Sequence, residues 1–377
     1  MSERAIIIPI LVLGVAAVLL FSIKGYWTTW EGGGEQRTDD AYVRADMTPM
    51  STRVSGSLSG EALVDWRLRA TSAGKKHVLK QADLDKMLRH LSTNQNGEIR
   101  VMANLSLEGK IISPFRYSGT RSDDPNDLVH PDQRRDLRGL AVLCAWLNHT
   151  DAKADNSMDT VVGKGADARI RHNLLDFGAA FGSDSDIAKD PRHGQEFFLP
   201  TSKAQLNKVY TLGLLPNDWE RVHYPHDLPA AGNITQVAFH PASWKPNYPN
   251  QAFLRMTPED AYWGAKLVMA FSDEDIQAIV EEGKFTDPRV TKYVTTVLEK
   301  RRDTVGSYWF NVILPLEHVG IDNGAFLYDD LAQRYNVGAR PRQLHFTWFD
   351  WKNDVSKQGA IIAESSTASV PRIAKRS

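Results

Sequence analysis

Two short runs hold residue types that together could transfer a phosphoryl group. The first is His149-Thr150-Asp151-Ala152-Lys153-Ala154-Asp155-Asn156, and the second is Leu174-Leu175-Asp176-Phe177-Gly178. Phosphoryl transfer needs one carboxylate to take or orient the acceptor hydroxyl proton, and oxygen ligands that hold a divalent cation against the phosphates. Asp151 suits the first task. Asn156, five positions later, offers a neutral oxygen to magnesium, and Asp176, twenty positions further on, offers a charged one. Lys153 could balance charge on the transferred group, and Gly178 would permit a sharp exit from the strand that carries Asp176.

Other residues in the runs read as structural. A single histidine on a loop says little, so His149 is read as packing its loop rather than carrying a proton. Asp155 reads as a solvated or capping side chain, and Asp159 as a capping or paired one. His149, Asp151 and Asp176 could instead bind a hydrolytic metal, but the asparagine and the Phe-Gly pair would then have no purpose.

The elements around these runs must bring them together. Residues 133–148 form an apolar stretch with its charges clustered at the start, and the spacing predicts a helix that leads into the first run. Residues 157–162 and 169–175 predict two strands joined by a turn at Gly163-Lys164-Gly165, and the second strand delivers Asp176. Downstream, Thr257-Pro258-Glu259-Asp260 caps a helix over 261–270, and Ser272 caps another that Gly283 ends. Asp287-Pro288 opens a third, reaching about Tyr308. Upstream, 80–91 has helical spacing, 98–107 alternates like a strand, and Lys75, Lys76 and Lys80 are expected in a turn or at a helix start. The Ser-, Ala- and Lys-rich tail from Ser356 is expected to fray.

The first run fits the protein-kinase catalytic-loop pattern H-x-D-x-x-x-x-N, and the second its D-F-G partner. The wider stretch Arg134-Arg135-Asp136…Asp176-Phe177-Gly178, with Asn250…Lys266 and Arg301-Arg302-Asp303…Phe310, resembles a little-characterised group of bacterial kinase-like proteins over roughly residues 70–350. The resemblance implies a mainly helical C-lobe over 109–355, preceded by a truncated N-lobe remnant over 61–108. It also implies catalytic roles for Asp151 and Lys153, metal ligation by Asn156 and Asp176, and support from His149, Phe177 and Gly178. The implied cofactors are Mg2+ with ATP or another nucleotide. Ser55-Gly56-Ser57-Leu58-Ser59-Gly60 does not match a glycine-rich phosphate loop, and no P-loop is present, so activity is expected to be weak or absent. A pseudokinase-type binding module is the alternative.

The N-terminus carries a different signal. Residues 5–23 run AIIIPILVLGVAAVLLFSI without a charge, long enough to cross a bilayer as a helix, with Tyr26, Trp27 and Trp30 following as interfacial rings. Together with Thr38-Asp39-Asp40-Ala41-Tyr42 and the residues up to Gly56, this start resembles membrane fusion proteins of the HlyD type, the periplasmic adaptors of efflux pumps. That resemblance covers residues 1–57, implies a single-pass inner-membrane anchor with the remainder in the periplasm, and makes an efflux-adaptor relative a further alternative function. The domain expectation is therefore an anchor over 1–24, a linker over 25–60, the two kinase-like parts, and a flexible tail over 356–377. The fold class expected is α+β with an N-terminal transmembrane helix before a kinase-like domain. The lipid bilayer is the expected partner through residues 5–23. A net charge of -1 gives no basic field for nucleic acid. Cys144 stands alone, so no disulfide within the chain is possible.

Overall fold

In a computed structural model, residues 69–72, 75–78, 80–89, 107–125, 127–184, 187–199, 210, 216–338 and 344–371 are described. The chain divides into two units, residues 1–108 and 109–377. In the first, β1 (Arg69–Ser72) pairs antiparallel with β2 (Lys75–Val78), and α1 (Gln81–Leu88) follows. Lys75 and Lys76, expected in a turn, lie in β2, with Lys76 opposite Thr71. The strand expected at 98–107 falls, except for Leu107, outside the described residues.

The second unit begins with β3 (Lys110–Ser113), which joins β4 (Ser157–Val162) and β5 (Arg169–Leu174) in a three-stranded antiparallel sheet. Between β3 and β4 runs α2 (Arg135–Leu147), the expected apolar helix, and after β5 the two-residue strands β6 (Ser183–Asp184) and β7 (Ile187–Ala188) pair antiparallel. The helical remainder comprises the short α3 (Gln251–Leu254), then α4 (Pro258–Met269), α5 (Asp273–Glu281) and α6 (Pro288–Val312). Local sequence explains their starts. Thr257 and Ser272 each accept from an amide three residues on, while Asp260 and Asp275 reach back to the cap amides, and Pro258 and Pro288 occupy first turns where a missing N–H costs nothing.

One core binds these helices. Val142 and Trp146 of α2 pack with Ala261, Ala265 and Val268 of α4, and with Val294, Val297, Leu298 and Val305 of α6. α2 and α4 approach closely because each presents a glycine. A Cβ at Gly264 would lie 2.6 Å from the Gly139 carbonyl oxygen, and one at Gly139 would lie 2.7 Å from the Trp263 ring. Charge is compensated inside this scaffold. Arg138 forks onto the buried Asp260 carboxylate at 2.5 and 3.0 Å. Burial alone would raise the Asp260 pKa, but the Arg138 and Thr257 bonds outweigh it and hold it below the usual carboxylate value.

The C-terminal part is β-structured. β8 (Leu316–Asp322) and β9 (Ala325–Asp330) form a hairpin whose turn residues Asn323 and Gly324 are both left-handed, as a tight hairpin turn demands. The short α7 (Leu331–Arg334) follows, and β10 (Phe346–Lys352) pairs with β11 (Lys357–Ser365). Residues 357–365 of the tail expected to fray form β11. Its polar and small residues are compatible with β11 because β10 supplies the aromatic partners, and the chain beyond it bonds back to β9 through Phe326 N–H to the Ala368 carbonyl at 2.7 Å.

The α+β class holds, but the membrane expectation is corrected. No helix among the described residues is long and apolar enough to cross a membrane. α6 has the length, at 25 residues, but carries Arg289, Lys292, Glu299, Lys300, Arg301, Arg302 and Asp303. The anchor over residues 5–23, its lipid partner and the HlyD-like start over 1–57 fall outside the described residues. The single-pass inner-membrane placement that depended on that helix is withdrawn with it.

Candidate functional site

The first run begins where α2 ends. Asn148 takes a left-handed conformation, φ 51°, and turns the chain out of the helix. Its side chain is held on both atoms, Nδ2 donating to the Phe181 carbonyl and Oδ1 accepting from the Trp244 indole at 3.0 Å. The carbonyls of the last α2 turn are met from α6. Arg301 donates to Ala145 O at 2.5 Å and Trp146 O at 2.9 Å, a cation at the negative end of the helix. The direction in which the site loop leaves the core is therefore fixed.

Within the loop the predicted residues come together. Asn156 Nδ2 donates to the Asp151 carboxylate at 2.8 Å and to the Asp151 backbone carbonyl at 3.0 Å. Lys153 Nζ lies 3.0 Å from the same carboxylate oxygen. Burial alone would lower the Lys153 pKa; the Asp151 bond and charge outweigh it, and the net shift is upward. Both Asn156 donations leave from the amide nitrogen, so its carbonyl oxygen is the atom available to a cation. Asp155 is exposed.

Hairpin register carries the second run to the first. β4 opposes β5 with Ser157 facing Leu174, so the next amide, Leu175, donates to the Asn156 carbonyl at 2.9 Å. Asp176 follows at once. On the far side of the turn, Thr150 N–H donates to Ala179 O at 3.2 Å, and Phe181 N–H to Leu147 O at 2.7 Å. Three backbone bonds thus stitch the Asp151 loop to the Asp176 turn. That turn departs from the expectation in one respect: the left-handed residue is Asp176, φ 52°, and not Gly178. An aspartate tolerates this because its short side chain closes a local ring, here Oδ1 accepting from Gly178 N–H at 3.1 Å.

His149 is buried, and its ring lies against Phe177 with centroids 5.1 Å apart. Burial and the charge of Lys189 push its pKa down, opposed by Asp151 and Asp176. Both acids therefore act on one imidazole, from the two runs. His149 Nδ1, Thr150 Oγ1 and Asn247 Oδ1 are buried without a hydrogen-bond partner. Asp159 belongs elsewhere, paired with Arg121 and His172 across the sheet.

Several residues at the site carried no signal of their own in the sequence. Asn250 donates to the Ala152 carbonyl at 3.1 Å while capping α3 through its oxygen, Asn247 N–H donates to Thr150 O at 2.7 Å, and the Tyr248 ring lies 6.0 Å from Lys153 Nζ. Lys189 donates to Asn148 O and Ala179 O. These contacts join positions 10 to 98 residues apart, most of them far beyond the reach of local sequence patterns.

No group of three or more His, Cys, Asp or Glu side chains suited to a metal stands among the described residues. A set built on one carboxylate and one carboxamide, Asp176 and Asn156, is not of that kind. Its all-oxygen donors suit a hard cation such as magnesium rather than zinc. No family model, curated protein or solved structure matches the chain.

Proposed function

We propose that the chain is a kinase-like protein whose loop 149–156 and turn 176–178 form a magnesium-dependent phosphotransfer site. The observation that carries this reading is the stitching of the two runs by the Leu175, Thr150 and Phe181 amides, which holds the loop of Asp151 and Asn156 beside the turn of Asp176. Asp176 and Asn156 would hold the cation, which supplies charge neutralisation at the phosphates. Asp151, oriented by Asn156 and Lys153, accepts the proton of the acceptor hydroxyl. Lys153 places positive charge where the transferred group gains negative charge. The buried His149 ring lies against the exposed Phe177 of the turn and supports it from within.

A second reading, a nucleotide-binding module without turnover, is favoured by the sequence, which offers no glycine-rich loop to cover the phosphates. One assay separates the two. Purified chain is incubated with Mg-ATP, and phosphate release is compared between wild type and Asp151→Asn. Turnover that falls on the order of a hundredfold in the variant supports phosphotransfer. Nucleotide binding with no turnover in either protein supports the module, and no binding at all contradicts both.

A further inference from the structure

Lys189 is fully buried, and its Nζ lies 2.5 Å from Asn148 O and 2.6 Å from Ala179 O. Asn148 ends α2 and leads to Asp151; Ala179 lies three residues beyond Asp176 and also accepts from Thr150 N–H. The lysine is fixed at its own backbone, where its N–H donates to Gly182 O at 2.9 Å and its carbonyl accepts from Asn233 Nδ2 at 2.8 Å. Among the described residues, no carboxylate pairs with it within ion-pair distance. Asp184 and Asp151 act on it only at longer range, and Arg301 opposes them. Burying a lysine with no carboxylate within reach among the described residues is unfavourable, and an apolar side chain of similar volume would avoid the cost.

We propose that Lys189 is a positioning residue of the candidate site: its amino group ties the carbonyl that ends the α2 turn to the carbonyl behind the Asp176 turn, and so sets the spacing of Asp151 and Asp176. The assignment rests on the phosphotransfer reading for its function, and on the two bonds alone for its geometry. Removing the tie loosens the site loops and leaves the α4–α6 scaffold intact, which distinguishes it from a general core substitution.

The test uses the full chain with Lys189→Met, Lys189→Arg and Asn233→Ala, read by amide hydrogen exchange and by Mn2+ titration. In Lys189→Met, the Thr150 and Phe181 amides exchange roughly tenfold faster and the Mn2+ dissociation constant rises by a similar factor, as expected for losing charge-assisted bonds. Amides in α4 to α6 are unchanged. Lys189→Arg, which keeps a donor, recovers most of both effects. Asn233→Ala, which frees only the Lys189 carbonyl, accelerates the same two amides by a smaller factor. Unaltered Thr150 and Phe181 exchange in Lys189→Met and Asn233→Ala, in a chain that binds Mn2+, overturns the positioning role alone. Loss of protection throughout α4 to α6 in both variants overturns it too, since Lys189 would then be an ordinary core residue. A wild-type chain that binds no Mn2+ overturns the phosphotransfer reading and the positioning role together, even where the two amides respond.

Discussion

The helical scaffold and the loop region beside it hold buried polar groups alike but differ in backbone conformation. In the scaffold, Asp260 meets Arg138, and Arg301 spends its donors on three carbonyls and rests its guanidinium 3.7 Å from the Phe239 ring centroid. Around the loops, Lys189 likewise donates to carbonyls, and His149, Thr150 and Asn247 each keep a buried polar atom unmatched, as Thr295 and Trp309 of α6 do. Asn148, Asp176 and Phe181 all sit in the left-handed region there. Across α4 to α6 Lys284 is the one non-glycine residue that does so, and backbone strain persists where something other than stability is served. On the proposed reading, residues 148–181 are the working part of the unit and α4 to α6 its support.

Substitutions break that contrast in different currencies. The largest effect is expected from Asp176→Asn, which keeps the left-handed turn but removes a charged ligand. Mn2+ affinity, followed by titration, falls on the order of a hundredfold with little change in melting temperature. Asp260→Asn does the reverse: with Arg138 left beside a neutral partner, denaturant unfolding reports a loss of about 3 kcal/mol while Mn2+ affinity is retained. Next comes a pH effect. Burial pushes the Lys189 pKa down from 10.5 to about 7. Between those values the unfolded chain binds a proton that the folded chain lacks, so the contribution of Lys189 to stability rises with pH across that window. The slope, measured by denaturation from pH 7 to 10, flattens in Lys189→Met. Smallest is Thr257→Ala, which removes the α4 cap and costs about 1 kcal/mol in the same unfolding assay without touching the site.

The scaffold was more legible in the sequence than the site. Thr257-Pro258, Ser272 and Asp287-Pro288 announce their helices because capping is local chemistry, decided within four residues. The β4–β5 hairpin was readable for the same reason, and its register suffices to deliver Asp176 beside Asn156. Lys189 was not readable. It stands among Asp184, Asp186 and Asp190, which in a linear sequence looks like a solvated charged stretch, and its burial depends on segments far away in the chain. Arg301 was hidden likewise, since its carbonyl partners on α2 lie 155 and 156 positions away. β11 was missed because its partner strand, not its own composition, provides the aromatic face. The position of the left-handed turn went to Asp176 rather than Gly178 because a carboxylate can bond its own backbone.

The central claim is that Asn156 and Asp176 serve one cation. A double-mutant cycle measures this directly, with Mn2+ affinity determined for wild type, Asn156→Ala, Asp176→Asn and the double variant. Shared ligation predicts that each single change weakens binding at least tenfold, and that Asn156→Ala costs much less once Asp176→Asn is present. Undiminished affinity in Asn156→Ala, or equal losses in both backgrounds, would contradict it.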